Sequence, residues 1–315
     1  LASGGRAGAA SGLMYATAST NNANIEANMI PGTREPMNRS PTLTPNWSAR
    51  TIKTTLGGMI WPTSLVLDSE DNLYVSDEYL QRITKFDREG NPISYWGEKG
   101  DGPGQFNQPS GMLVRGDELL VVDSRNNRVQ IYGLNGDYVG HWGSKGDGEG
   151  EFDLPWGICD DSEGNIYIAD WRNDRIQKFD RDGGFINIIG RSGSGEGEFN
   201  RPSDMAVDKE GNIYVADWGN QRVQVVDCDG EFLDSHRGAA HLNPWAVEYL
   251  SSQADERAAR ESFVPVYDAD TDDQHEISAR MEPYLWDPVN VELGEDGKVY
   301  VVETGRHRFQ VFEVK

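Results

Sequence analysis

Short apolar runs of about five residues recur along the chain, separated by turn signals rich in Gly, Asp and Asn. Around residues 155–197 the pattern resolves into four strands. GICD is the first, the turn DSEGN leads to IYIAD, WRND leads to RIQKFD, and RDGG leads to FINIIG. The runs are too short for helices, and each is bounded by residues that break regular structure.

The same unit repeats. LYVSD at 73–77 returns as LLVVD at 119–123, IYIAD at 166–170, IYVAD at 213–217 and VYVVE at 299–303. Each run ends in an acid: Asp77, Asp123, Asp170, Asp217 or Glu303, spaced by 46, 47, 47 and 86 residues. An arginine follows each acid at the fifth position (Arg82, Arg128, Arg175, Arg222, Arg308) and opens an alternating stretch such as RVQIY or RFQVF. Between units run Gly-rich connections, GDGPGQFNQP, GDGEGEFDLP and GSGEGEFNRP. Four strands in about 47 residues is the pattern of a β-propeller blade. Allowing for an insertion of about 40 residues before the last unit, the length fits six blades.

The run IYVADWGNQRVQVVDCDGEF at 213–232, with the F-x-x-P connection before it, resembles the NHL-repeat family of six-bladed propellers. The resemblance covers residues 61–249 and 284–315. The expected fold is therefore an all-β, six-bladed β-propeller of NHL type with a short helical and acidic insertion before the last blade. As one domain over 1–315, it would comprise a degenerate first blade at 1–60, four regular blades at 61–242, a lid-like insertion at 243–283 and the last blade at 284–315. In the first of these, LMYATAS at 13–19 resembles a second strand and ARTIKTTLG at 49–57 a fourth. The last unit stops after its third strand. The opening Leu1 and the lack of a strand before it point to a trimmed N-terminus.

The insertion opens on Asn243-Pro244, a helix start, and WAVEYLSSQADERAARESF reads as one or two helical segments ending before Pro265. In the acidic stretch that follows, Asp268, Asp270 and Asp272 alternate as in a partial calcium loop. The expected Gly is missing, and Ala279 stands where a bidentate acid belongs. Calcium is the only cofactor this pattern suggests; the alternative is a solvated lid.

With 52 Asp and Glu against 29 Lys and Arg, the net charge is −23. Residues 1–60 carry +3 and the rest −26. Such a charge repels nucleic acid and anionic membranes. Cys159 and Cys228 form no zinc or disulfide pattern, and no apolar run matches a membrane span. A soluble protein, cytoplasmic or secreted, is expected.

The Asp/Arg pair occurs in every clear blade and reads as a brace for the turn between second and third strands, since a site rarely needs five copies. The Gly-rich connections read as linkers, because they lead into strands and carry acids. In a propeller, second-to-third and fourth-to-first connections share one face. That face collects Trp61, Trp156 and Trp286 beside the Pro of a first strand, then Tyr79, Trp171 and Trp218 from the other connections. Arg125, Arg172, Arg201, Arg306 and His307 join them. Aromatics with arginines suit a glycan, a carboxylate-bearing ligand or a peptide. The alternative for the tryptophans is a wedge between blades. Trp171 and Trp218 are the expected exposed pair, and the insertion would cap the same face.

The NHL resemblance also brings in propeller lyases, the peptidyl-hydroxyglycine amidating and streptogramin lyases, whose channel histidines bind metal or move protons. None of the first-strand openings PTSLVL, PSGMLV, PWGICD, PSDMAV and PVNVEL contains His. The histidines are His141, His236, His241, His275 and His307; His307, near Glu303, is the one placed for a mouth, with His275 able to approach from the lid. A non-catalytic module binding a small molecule, glycan or protein partner is therefore favoured over a metal-dependent lyase or hydrolase, and over RNA binding.

Overall fold

The computed structural model describes residues 58–238, 244–261, 271–281 and 283–313. The expected degenerate blade at 1–60, with LMYATAS and ARTIKTTLG, lies outside these residues. The described residues divide into two compact units, with the boundary between His141 and Trp142.

In the first unit, blade one comprises the antiparallel strands Pro62–Leu67, Leu73–Asp77, Arg82–Phe86 and Pro92–Trp96. Blade two comprises Pro109–Arg115, Glu118–Asp123, Arg128–Gly133 and Tyr138–Trp142, whose last residue falls just past the boundary. Val66, Tyr74, Ile83, Phe106, Met112, Leu119, Val121 and Tyr132 form the core between these two sheets.

In the second unit, blade three runs Pro155–Asp160, Ile166–Asp170, Arg175–Phe179 and Phe185–Ile189, matching the four strands read from the sequence. Blade four follows with Pro202–Val207, Ile213–Asp217, Arg222–Val226 and Phe232–His236. Blade five has three described strands, Pro288–Leu293, Lys298–Glu303 and Arg308–Glu313. The second strand of blade four explains why these runs are continuously apolar. Ile213 and Val215 pack with blade three, whereas Tyr214 and Ala216 pack with blade five. A strand buried on both faces has no polar side to alternate with.

Helices α1 (Pro244–Ser251) and α2 (Ala254–Glu261) occupy the predicted helical stretch. A third, α3 (Gln274–Arg280), forms where the sequence suggested an acidic loop. Asp273 caps it, accepting from the His275 N–H at 2.9 Å, with Glu276 in the first turn and Arg280 in the last. No helix among the described residues is long and apolar enough to cross a membrane.

The repeated acid is a clamp for the Gly-rich connection as well as a brace for its own turn. Asp170 is fully buried. Its Oδ1 accepts from the Asp153 N–H at 2.8 Å, and its Oδ2 accepts from Asn173 at 2.8 Å, Arg175 Nε at 2.9 Å and Gln177 at 3.1 Å. Arg175 also donates to the carbonyls of Asp147, Gly148 and Glu151, and Gln177 to that of Glu151. Asp123 with Asn126, Arg128 and Gln130, and Asp217 with Asn220, Arg222 and Gln224, repeat the set. In blade five Glu303 pairs with Arg308 and Gln310. In blade one Asp77 accepts from the N–H groups of Ile60, Trp61, Tyr79 and Leu80. The clamped connections bury Phe106, Phe152 and Phe199 completely. Gly190, at φ +79°, is required here: a Cβ would lie 2.3 Å from the Phe199 ring.

Removing one partner of a buried, multiply bonded pair leaves the other uncompensated. Asp170→Ala is expected to lower stability by about 3–5 kcal/mol. The exposed turn variant Asp182→Ala should stay within about 0.5 kcal/mol of the parent. Urea unfolding of both variants checks the contrast; equal midpoints would refute the clamp.

Candidate functional site

Both kinds of connection meet at the same end of each blade, as the topology predicts. The Arg125 N–H donates to Asn107 O, Arg172 N–H to Asp153 O, Gly219 N–H to Asn200 O and Gly305 N–H to Trp286 O, at 2.7–3.1 Å. Second strands of blades two to four end in one-turn helices, Ser124–Asn126, Trp171–Asn173 and Trp218–Asn220, each followed by a left-handed residue. These residues, with Gln81 and His307, have φ between 52° and 56°, and so do Leu154, Arg201 and Asp287 before first-strand prolines, with Gln108 at 59°.

Several of these left-handed residues couple blades. The Gln108 N–H donates to Gln81 Oε1 at 2.6 Å, Arg201 N–H to Asp174 Oδ1 at 2.7 Å and Asp287 N–H to Gln221 Oε1 at 2.7 Å. Gln221 Nε2 returns a bond to Asp287 Oδ1 at 3.2 Å. Sequence reasoning missed this network, since nothing local marks Gln or Asp as left-handed.

In the first unit, Trp61 and Tyr79 meet edge to face at 6.1 Å, and both are exposed. Arg125 is exposed and donates through Nε to Gln108 Oε1. Burial pushes Glu78 upward from its ordinary value, against the opposing influence of Arg125.

In the second unit, Trp171 and Trp218 are half-buried, with ring centroids 6.0 Å apart. The Arg201 guanidinium lies 4.9 Å from Trp171 and 5.9 Å from Trp218, so the pair expected to be exposed is instead half-buried, its rings packed on each other and under an arginine. Arg172 is exposed beside Trp171, and Trp156 is half-buried on the first strand of blade three.

Helix α3 packs against the turn Trp218–Asn220 and reaches blade five. Trp286 Nε1 donates to His275 Nε2 at 2.9 Å, and that nitrogen lies 3.4 Å from Asp287 Oδ1. Arg306 stands 5.5 Å over Trp286 and donates to the carbonyls of Ser278 at 2.7 Å and Ala279 at 3.2 Å. Of the described part of the insertion, helix α3 lies against these connections. His275 reaches Trp286 and Asp287, while His307 is exposed and Glu303 lies buried in its clamp. Asp268 and Asp270 of the suggested calcium loop are outside the described residues, and Asp272 is exposed. Among the described residues no cluster of three or more His, Cys, Asp or Glu is arranged to hold a metal ion.

A second group of titratable residues lies on the first strands. Asp204 is buried, and its Oδ2 accepts from Asn290 Nδ2 and, at 3.3 Å, from the Val291 N–H of blade five. Gly157 of blade three lets it approach: a Cβ there would stand 2.3 Å from Asp204 Oδ1. Burial pushes Asp204 up to about 7. Burial, then the charge of Asp204, pushes Glu292 up to about 8. The signal was the Asp of PSDMAV, at a position filled by Ser, Gly or Asn in the other first strands.

These carboxyls bind protons in the folded chain that the unfolded chain releases near pH 4. Their contribution to stability is therefore present at acid pH and falls as pH rises through 7 and 8. Glu292→Gln is expected to melt about 2–4 °C above the parent at pH 8.5, with the difference vanishing near pH 4. Thermal melts across this range test it; parallel curves would refute it.

Several solved structures are similar to this chain. A gluconolactonase from Xanthomonas campestris is 13% identical, with a TM-score of 0.50 over 79% of this chain and 71% of that one. A virginiamycin B lyase from Staphylococcus aureus is 13% identical, with a TM-score of 0.47 over 80% and 70%. A nidogen/laminin complex structure gives 14%, a TM-score of 0.49, and 81% and 80%. No curated protein matches the sequence significantly. A family model described as a 6-bladed beta-propeller matches residues 53–142 and 153–244, more than half of the chain. With that match and its repeated four-stranded sheets, the chain belongs to the 6-bladed beta-propeller family.

Proposed function

We propose that this propeller is a non-catalytic binding module of NHL type that takes a small ligand, glycan or protein partner on the face where α3 docks. The observation that carries this reading is the Trp171–Arg201–Trp218 trio beside that helix. Two half-buried indoles offer flat apolar area with little rotamer entropy to lose, and an arginine adds directional donors. Trp61, Tyr79 and Arg125 supply the same residue types in the first unit.

A second reading, hydrolase or lyase chemistry, is favoured by one feature, the pair Asp204 and Glu292. Carboxyls pushed near neutrality can hold and release protons at working pH. Proton transfer needs a substrate held beside them, so this reading fails if Glu292→Gln leaves any detected turnover unchanged.

Screening glycan and peptide libraries against the parent and the double variant Trp171→Ala/Trp218→Ala tests the binding reading. Bound ligands should lose at least tenfold in affinity in the variant, which should still melt cooperatively. Unchanged affinity for every ligand found would remove this face from the function.

A further inference from the structure

We infer that Arg201, lying over Trp171 and Trp218, is a receptor for a carboxylate on the bound ligand. The inference rests on the binding reading above and names the chemistry of its central contact.

The rings and the backbone place the guanidinium. Its Cζ lies 4.9 Å from the Trp171 ring centre and 5.9 Å from that of Trp218, and the Arg201 backbone N–H is anchored to Asp174 Oδ1 at 2.7 Å while φ is 54°. Asp174 is itself fixed, accepting from Ser192 Oγ at 2.6 Å. A guanidinium whose neighbours are aromatic rings keeps its N–H donors available, and their fork matches two carboxylate oxygens. Yet Arg201 is exposed, and among the described residues no hydrogen bond or ion pair engages its guanidinium.

The same unit holds a second guanidinium over an indole, and there acceptors are present. Arg306 lies over Trp286 and donates through Nη2 to the carbonyls of Ser278 and Ala279, so the insertion supplies the oxygens. In blade three, by contrast, Arg175 is surrounded by Asp170 and three carbonyls. Arg201 has ring contacts like those of Arg306, and its exposed guanidinium is open to an acceptor carried by a ligand.

An anionic oxygen is the stronger partner for such a fork. The chain's net charge of −23 works against multiply charged ligands, whose approach it opposes at long range. A single carboxylate meets Arg201 inside one Debye length, where the local cation dominates. The exposed Arg172, next to Trp171, adds a second positive charge to this surface. A carboxylate can come from an acidic peptide side chain or from a uronic acid; the chemistry at Arg201 is shared.

Two pairs of probes separate the sources: the peptide Ac-Gly-Glu-Gly-NH₂ against its Gln counterpart, and methyl glucuronide against methyl glucoside. Tryptophan fluorescence titrated at low salt should respond saturably to the acid of at least one pair. Its neutral counterpart should bind at least tenfold more weakly. Arg201→Met should lose at least tenfold for that acid. Arg201→Lys should fall between, because an ammonium keeps the charge and lacks the fork. Equal binding of acid and neutral probes, no response to either acid, or unchanged binding by a folded Arg201→Met would overturn the inference. A library ligand that needs Trp171 and Trp218 but ignores Arg201→Met would overturn it while leaving the binding reading intact.

Discussion

The carboxylate that ends each second strand organises the rest of its blade. In blade three one side chain gathers an amide, a guanidinium, a carboxamide and a main-chain N–H. Its desolvation alone is unfavourable, and burial pushes Asp170, like Asp123 and Asp217, upward from the ordinary value. The group is tolerated because both of its oxygens accept hydrogen bonds, one of them from a guanidinium. Through Arg175 and Gln177 it also satisfies carbonyls of the preceding Gly-rich segment, which then delivers a buried phenylalanine to the core. A polar contact thus sets where the apolar ones fall.

That clamp explains how much of the fold could be read from residues alone. The acid, the arginine five positions on and the glutamine seven on lie within one hairpin, so their relation is local and survives as spacing. The F-x-x-P segment repeats because each copy feeds the same clamp. Helix α3 was less legible. Read by charge, DADTDDQHE is an acidic loop; read by capping, Asp273 starts a helix and Glu276 supports its first turn.

For the candidate site, residue type and topology together were informative. Trp171 and Trp218 occupy equivalent positions in adjacent blades, so repetition itself brings their rings together. Arg201 joins them only because its backbone is left-handed and tied to Asp174, a long-range condition without a spacing signature. Asp204 was visible as a letter but not as chemistry. What distinguishes it is a glycine in one neighbouring strand and an asparagine in the other.

The insertion between blades four and five is pinched shut at its root. The Leu285 N–H donates to Arg237 O at 2.6 Å, and the reciprocal Gln221–Asp287 bonds lie just beyond. The blades on either side are therefore in register whatever the intervening chain does, and closing a longer loop costs only logarithmically more. Natural variation can lengthen, shorten or replace this segment as an interchangeable attachment. The face can acquire a new clientele in this way with no change to the sheets that display it.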